Sequence, residues 1–116
     1  MLQGLKAEGV AAPVVLWAMS REIRVLAGMA YEVEQGRNVD QVMGAHRVWE
    51  KRKPLLRKGL QQRSAHWRRL LEDCAHTDRA IKGLQRDDPW LLLEDLALGM
   101  AGLGRPGAGA RPRTLD

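Results

Sequence analysis

From Leu16 the apolar residues recur at Leu16, Met19, Ile23, Leu26, Ala30 and Val33, at alternating intervals of three and four. That is the period of a helix face packed against neighbours, and it predicts a helix from Pro13 to Gln35. Pro13 stands near its start, where a missing N–H costs nothing, and Gly36 marks its stop. The same alternation returns at Trp67, Leu70, Cys74, Thr77, Ile81 and Leu84, which predicts a second long helix from Ser64, as N-cap, to Leu84. A short helix from Asn38 to His46, capped by Asn38, turns Val39, Val42 and Met43 inward. Pro54 disfavours helix at Lys53, so a break is expected between Trp49 and Pro54. Another short helix then runs from Pro54 to Gln62 and buries Leu55, Leu56 and Leu60. Gly83 and the run from Arg86 to Pro89 end the second long helix. Asp88 caps a last helix with Pro89 at its first position and a stripe of Trp90, Leu93, Ala97 and Met100. No stretch alternates with the period of a strand. The expected architecture is all-α, a compact bundle of about five helices joined by short connections.

Two ends of the chain read differently. Residues 1–8 hold Leu2 and Leu5 at helical spacing but are too few to stand alone, and read as the end of a preceding helix in a longer protein. Residues 103–116 hold three Gly, two Pro and three Arg and read as a disordered tail after a helical domain spanning 1–102.

With 116 residues the chain has the length of one domain. Its aromatic residues are four Trp and one Tyr with no Phe, so the core leans on aliphatic side chains and Trp. A single cysteine, Cys74, forms no internal disulfide and fits a reducing cytoplasm. The longest apolar run, Gly9 to Met19, has 11 residues, against the roughly 20 needed to span a bilayer. Glu8 abuts that run and Pro13 interrupts it, so it is not a signal-peptide core, and no membrane partner is expected.

Charge changes the picture more. Between Arg47 and Arg69 there are nine Lys and Arg against the single Glu50, a net of +8, whereas the whole chain carries +5. Charge focused in this way points to a polyanion or an acidic partner, and so to binding more than catalysis. Lys51, Arg52, Lys53, Arg57 and Lys58 are the candidates for contact with a phosphate backbone. Trp49 and Trp67 flank the charges and are both expected to pack inward.

Residues for catalysis or cofactor binding do not assemble. Gly102-x-Gly104-x-x-Gly107 matches a dinucleotide fingerprint by letters, but no strand precedes it and no helix follows. There is no P-loop. Cys74 and His76 diverge by about 200° on a helix and cannot form a nucleophile–base pair. The three histidines show no metal-ligand spacing, and the adjacent carboxylates Glu72/Asp73, Asp87/Asp88 and Glu94/Asp95 diverge or serve as caps. No cofactor, metal or catalytic residue is expected.

Four blocks occur in order: Leu16-Trp17-Ala18-Met19-Ser20-Arg21-Glu22-Ile23-Arg24, His46-Arg47-Val48-Trp49, Asp78-Arg79-Ala80-Ile81-Lys82-Gly83, and Asp88-Pro89-Trp90 with Leu93-Glu94. Together they resemble the C-terminal domain of the delta subunit of bacterial DNA polymerase III, the clamp-loader subunit, over about residues 1–102. The resemblance implies a collar domain that joins gamma/tau copies and delta-prime in a five-subunit ring, without a working ATP site. Sliding-clamp contact belongs to a different, N-terminal domain of that family. The resemblance also implies proximity to a primer–template junction, and its third block makes Lys82 a further backbone candidate. Arg21, Glu22 and Arg24, off the stripe of the first long helix, with Trp90 and Glu94 on the last helix, are the candidates for subunit contact. The alternative from charge alone is a free-standing basic helical nucleic-acid-binding domain.

Overall fold

A computed structural model describes residues 9–102, together with Gly4. The expected helix end at 1–8 otherwise lies outside the described residues. So do the tail at 103–116 and, with it, the last two glycines of the Gly102 triplet. Within the described residues the protein is an all-α bundle with no strand. Its helices are α1 (Ala12–Glu34), α2 (Val39–Ala45), α3 (Lys53–Gly59), α4 (Ser64–Ile81) and α5 (Pro89–Met100), with a 3₁₀ turn at Glu50–Arg52. None of them is long and apolar enough to cross a membrane.

The long helices α1 and α4 pack most extensively on one another, α5 lies against both, and α2 rests on α1. Ile23, Leu26, Met29 and Ala30 of α1 meet Trp67, Leu70 and Cys74 of α4 in one buried cluster, joined by Val42, Met43, Leu56, Leu93 and Leu96. Trp67 is wholly buried and its indole Nε1 donates to the Gly59 carbonyl at 3.1 Å. Two glycines allow close approach: a Cβ on Gly59 would stand 3.0 Å from Leu26, and one on Gly99 2.6 Å from Leu70.

Several expectations hold locally. Asn38 and Gln41 form a reciprocal capping box on α2, and Asp88 caps α5 with Pro89 in its first turn. Others need correction. Ser64 is not the N-cap of α4: it is the first helical residue, and Arg63 precedes it without a side-chain cap. Its amide and hydroxyl both donate to the Glu34 carboxylate at 2.7 Å, so the end of α1 closes the start of α4. Helix α4 stops at Ile81, which leaves Leu84 exposed. The expected break before Pro54 is present but begins earlier and does not exclude Lys53. The 3₁₀ turn runs straight into α3, with Lys53 helical, and the chain turns earlier, at Arg47. Leu55 is exposed and only Leu56 of that helix is buried. On α5 the buried face is Leu92, Leu93, Leu96 and Gly99, rotated from the expected stripe, with Trp90 only half-buried. Trp49 does not pack inward; it is 77% exposed.

Helices α1, α2 and α4 share one closure. After α1 and α4 the chain enters the left-handed region at Gly36 and Gly83, and amides fold back to Val33 and Glu32, and to Ala80 and Arg79. The closure after α2 has the same bonds, from Arg47 to Gly44 and from Val48 to Met43, yet its left-handed residue is Arg47 at φ 55°. A side chain there costs on the order of 1 kcal/mol relative to glycine.

Replacing Trp67 with Ala should destabilise the fold by about 3–5 kcal/mol, measured by urea denaturation, because its ring is wholly buried and its removal leaves a cavity. A second prediction concerns acid. The Ser64 amide and hydroxyl, then the charges of Arg63 and Arg68, hold the Glu34 carboxyl below its usual range. Folding therefore disfavours its protonation, so its contribution is complete above the ordinary glutamate range and is lost as pH falls through the lowered value. Between about pH 6 and about pH 3 the melting temperature of Glu34→Gln should fall less than that of the parent chain.

Candidate functional site

Helix α1 buries one face and leaves Trp17, Ala18, Arg21, Glu22 and Val25 along another. Opposite them stands the connection out of α2, His46 to Trp49, followed by Arg52 of the 3₁₀ turn. Leu56, itself buried, forms part of the floor. Between these walls lies an open groove of about 600 Å³. Trp17 and Trp49, 63% and 77% exposed, present indole faces to solvent rather than to the core.

The charges of the groove are ordered by their partners. The Arg21 guanidinium lies 5.6 Å from the centre of the Trp17 ring, a cation–π contact. Arg52 reaches across to pair with Glu22. His46 bonds Glu32 through Nε2 at 2.8 Å, and Arg37 bonds the other oxygen of that carboxylate at 2.6 Å. The His46 hydrogen bond foremost, with the charges of His46 and Arg37, holds the Glu32 carboxyl below its usual range against partial desolvation. This strut fixes the end of α2 to α1 beside the groove. Arg47 forms no ion pair among the described residues.

The candidate subunit contacts fall in three places. Arg21 and Glu22 line the groove, and Glu22 is engaged by Arg52. Arg24 is exposed, and its charge is felt at Cys74 of α4. Trp90 and Glu94 are half-buried on α5. The candidate backbone contacts also divide. Lys53 pairs with Glu50 at 2.8 Å, Arg57 with Asp40 at 2.7 Å, and Lys82 with Asp78 at 2.9 Å. Lys51 and Lys58 are exposed and form no ion pair among the described residues. Within the basic segment Arg52 and Arg57 are thus answered by carboxylates that other parts of the chain supply, and Lys53 by Glu50 of the segment itself.

The remaining polar chemistry is structural. His66 donates to the Gly99 carbonyl at 2.9 Å, and His76 bonds Asp87 at 2.5 Å. Burial, with Asp73 nearby, pushes the Cys74 thiol up to about 11, so it stays protonated at neutral pH. Among the described residues no three His, Cys, Asp or Glu side chains stand together to hold a metal ion.

No known protein family, curated protein or solved structure matches this chain.

An open groove with exposed indoles and more guanidinium than carboxylate is suited to a ligand that combines flat apolar faces with negative charge. Sequence reasoning missed its two principal members. Trp17 is one position off the α1 stripe, a usable sign of exposure. Trp49 follows directly on the turn that Arg47 makes. Glu22→Gln should release Arg52 into the groove, and the variant should elute from a heparin column at higher salt than the parent chain.

Proposed function

We propose that residues 1–102 serve as a collar domain of the delta subunit of the bacterial DNA polymerase III clamp loader. In this role the domain is a cytoplasmic assembly module that packs beside gamma/tau and delta-prime and catalyses nothing itself. Contact with the sliding clamp would belong to another domain of the subunit, and the parent holoenzyme would be a DNA-directed DNA polymerase. One observation supports this most. Two blocks that carry the family resemblance, Leu16–Arg24 and His46–Trp49, lie far apart in the chain and form opposite walls of one open groove. Their outward members Trp17, Arg21, Arg47 and Trp49 add nothing to the intrachain core, so their value lies in what they touch outside it. The other two blocks have local explanations: Asp78–Gly83 closes α4 and Asp88–Trp90 opens α5. Val14, Tyr31, Leu91 and Leu98 are further exposed apolar side chains that neighbouring subunits would cover.

A nucleic-acid contact is the second part of the proposal. With Arg52, Lys53, Arg57 and Lys82 engaged in ion pairs, the groove becomes the preferred surface for a template strand, and Lys51 and Lys58 the outlying backbone contacts. The free-standing nucleic-acid-binding alternative predicts the same surface without the subunits. Co-purification with the gamma/tau and delta-prime collar domains, without nucleotide, separates the two. The collar reading expects association, and reversing Arg24 and Glu94 together should weaken it about tenfold or more. Absence of association with intact folding leaves only the alternative.

A further inference from the structure

We infer that copies of this chain associate head to tail, the outer face of α5 on one copy docking on the outer face of α3 on the next. The contact lies away from the groove and does not depend on the collar reading.

Two exposed stripes carry the inference. On α5, Leu91, Glu94 and Leu98 follow at intervals of three and four and so share one side. That side is opposite the buried Leu92, Leu93 and Leu96. Leu91 is 59% exposed and Leu98 46%. Glu94, between them, forms no ion pair among the described residues, and Asp88 is exposed where the helix begins. This stripe is apolar with negative charge. The second runs along the 3₁₀ turn and α3, where Lys51, Leu55 and Lys58 follow at intervals of four and three, opposite the buried Leu56. Leu55 is 65% exposed, and neither lysine forms an ion pair among the described residues. This stripe is apolar with positive charge.

The occupant follows from that complementarity. Like stripes repel and unlike ones attract, so a copy of the chain presents to each stripe its opposite. With Leu55 laid on Leu91, antiparallel helices bring Lys58 beside Asp88 and Lys51 beside Glu94. Parallel helices bring Lys58 beside Glu94 and Lys51 beside Asp88. Either direction covers both leucines and gives both lysines a carboxylate. A phosphate backbone would satisfy the lysines, but it leaves Leu55 in water and is repelled by the α5 stripe. The two faces differ, so each contact leaves one of each open and growth continues beyond the dimer. Helix α5 has 12 residues, a length of about 18 Å. Contact between such short helices stays below the roughly 1,200 Å² of a standard interface, so association is weak and needs high protein concentration.

The test is sedimentation equilibrium of the whole chain up to about 1 mM, across a salt series, with thermal melts alongside. The average mass should rise past that of a dimer without a plateau. Raising salt from about 0.05 M to about 0.5 M should weaken association about tenfold. Changing Lys51 and Lys58 together to Ala should weaken it similarly and remove most of the salt dependence. Leu55→Glu and Leu91→Glu should each stay monomeric at the parental melting temperature, because both side chains are exposed. Mixed in equal amounts, these two variants should form dimers and stop there, since one working face of each kind survives in the pair. The inference is overturned if the parent chain stays monomeric, stops at the dimer, or associates without regard to salt. It is equally overturned if either variant associates like the parent, or if the mixture forms nothing. Self-association without binding to gamma/tau or delta-prime would remove the collar reading and leave this contact standing. The reverse result would remove the contact and leave the collar.

Discussion

The burial of Trp67 is the constraint on which the arrangement depends. Its ring is enclosed between α1 and α4, and a buried indole N–H needs an acceptor. Gly59, at the end of α3, supplies it. Residue 59 has no Cβ; one would stand 3.0 Å from Leu26 of α1, a tight contact. One hydrogen bond and one glycine therefore tie the short helix α3 to the two long ones. Leu56, a turn earlier, is buried in the same cluster. With these two points fixed, Arg57 and Lys58 face outward, and Leu56 supports the floor of the groove. A segment of seven residues would not hold a helix alone, so its direction is set by this attachment.

The charge of that segment is less available than its composition suggests. Glu22 and Asp40 lie 30 and 17 residues from the arginines they meet, so counting charges along the chain cannot see the pairing. Such exposed pairs contribute at most about 1 kcal/mol each and a polyanion can compete with them. They bias the surface instead of closing it. Groups with no carboxylate to leave, Arg47 foremost, are engaged at lower cost than Arg52 or Arg57.

What was legible in the sequence was local. The stripe of α1, the cap at Asn38 and the cap at Asp88 depend on residues within a few positions of each other, and all are present. What was not legible depends on distant partners or on a choice between equal options. Ser64 has the right chemistry for an N-cap, but Glu34, 30 residues away, takes its amide and hydroxyl instead. Helix α5 carries Leu91, Leu92, Leu93, Leu96 and Leu98, apolar on nearly every side, so periodicity leaves its phase open and packing against α1 and α4 decides it. Of the groove, the basic wall was visible as a cluster of charge. Its aromatic character was not, because a Trp beside a helix break is compatible with either burial or exposure.

The turn at Arg47 shows how the core and the groove are built by the same backbone. The closure of α2 sends the Val48 amide back to Met43, and Val48 packs against the core. Trp49 then takes an extended conformation, φ −67° and ψ 146°, and emerges on the opposite side. Val48 is anchored against the core and also lines the groove, with Arg47 and Trp49 exposed on either side of it. The strut from His46 to Glu32 and Arg37 holds the start of this turn, and the 3₁₀ turn that leads into α3 holds its end. A glycine at position 47 would relax the backbone and keep the same path for Val48 and Trp49. Foldability alone therefore favours glycine at that position, and the arginine found there points to a role at the surface.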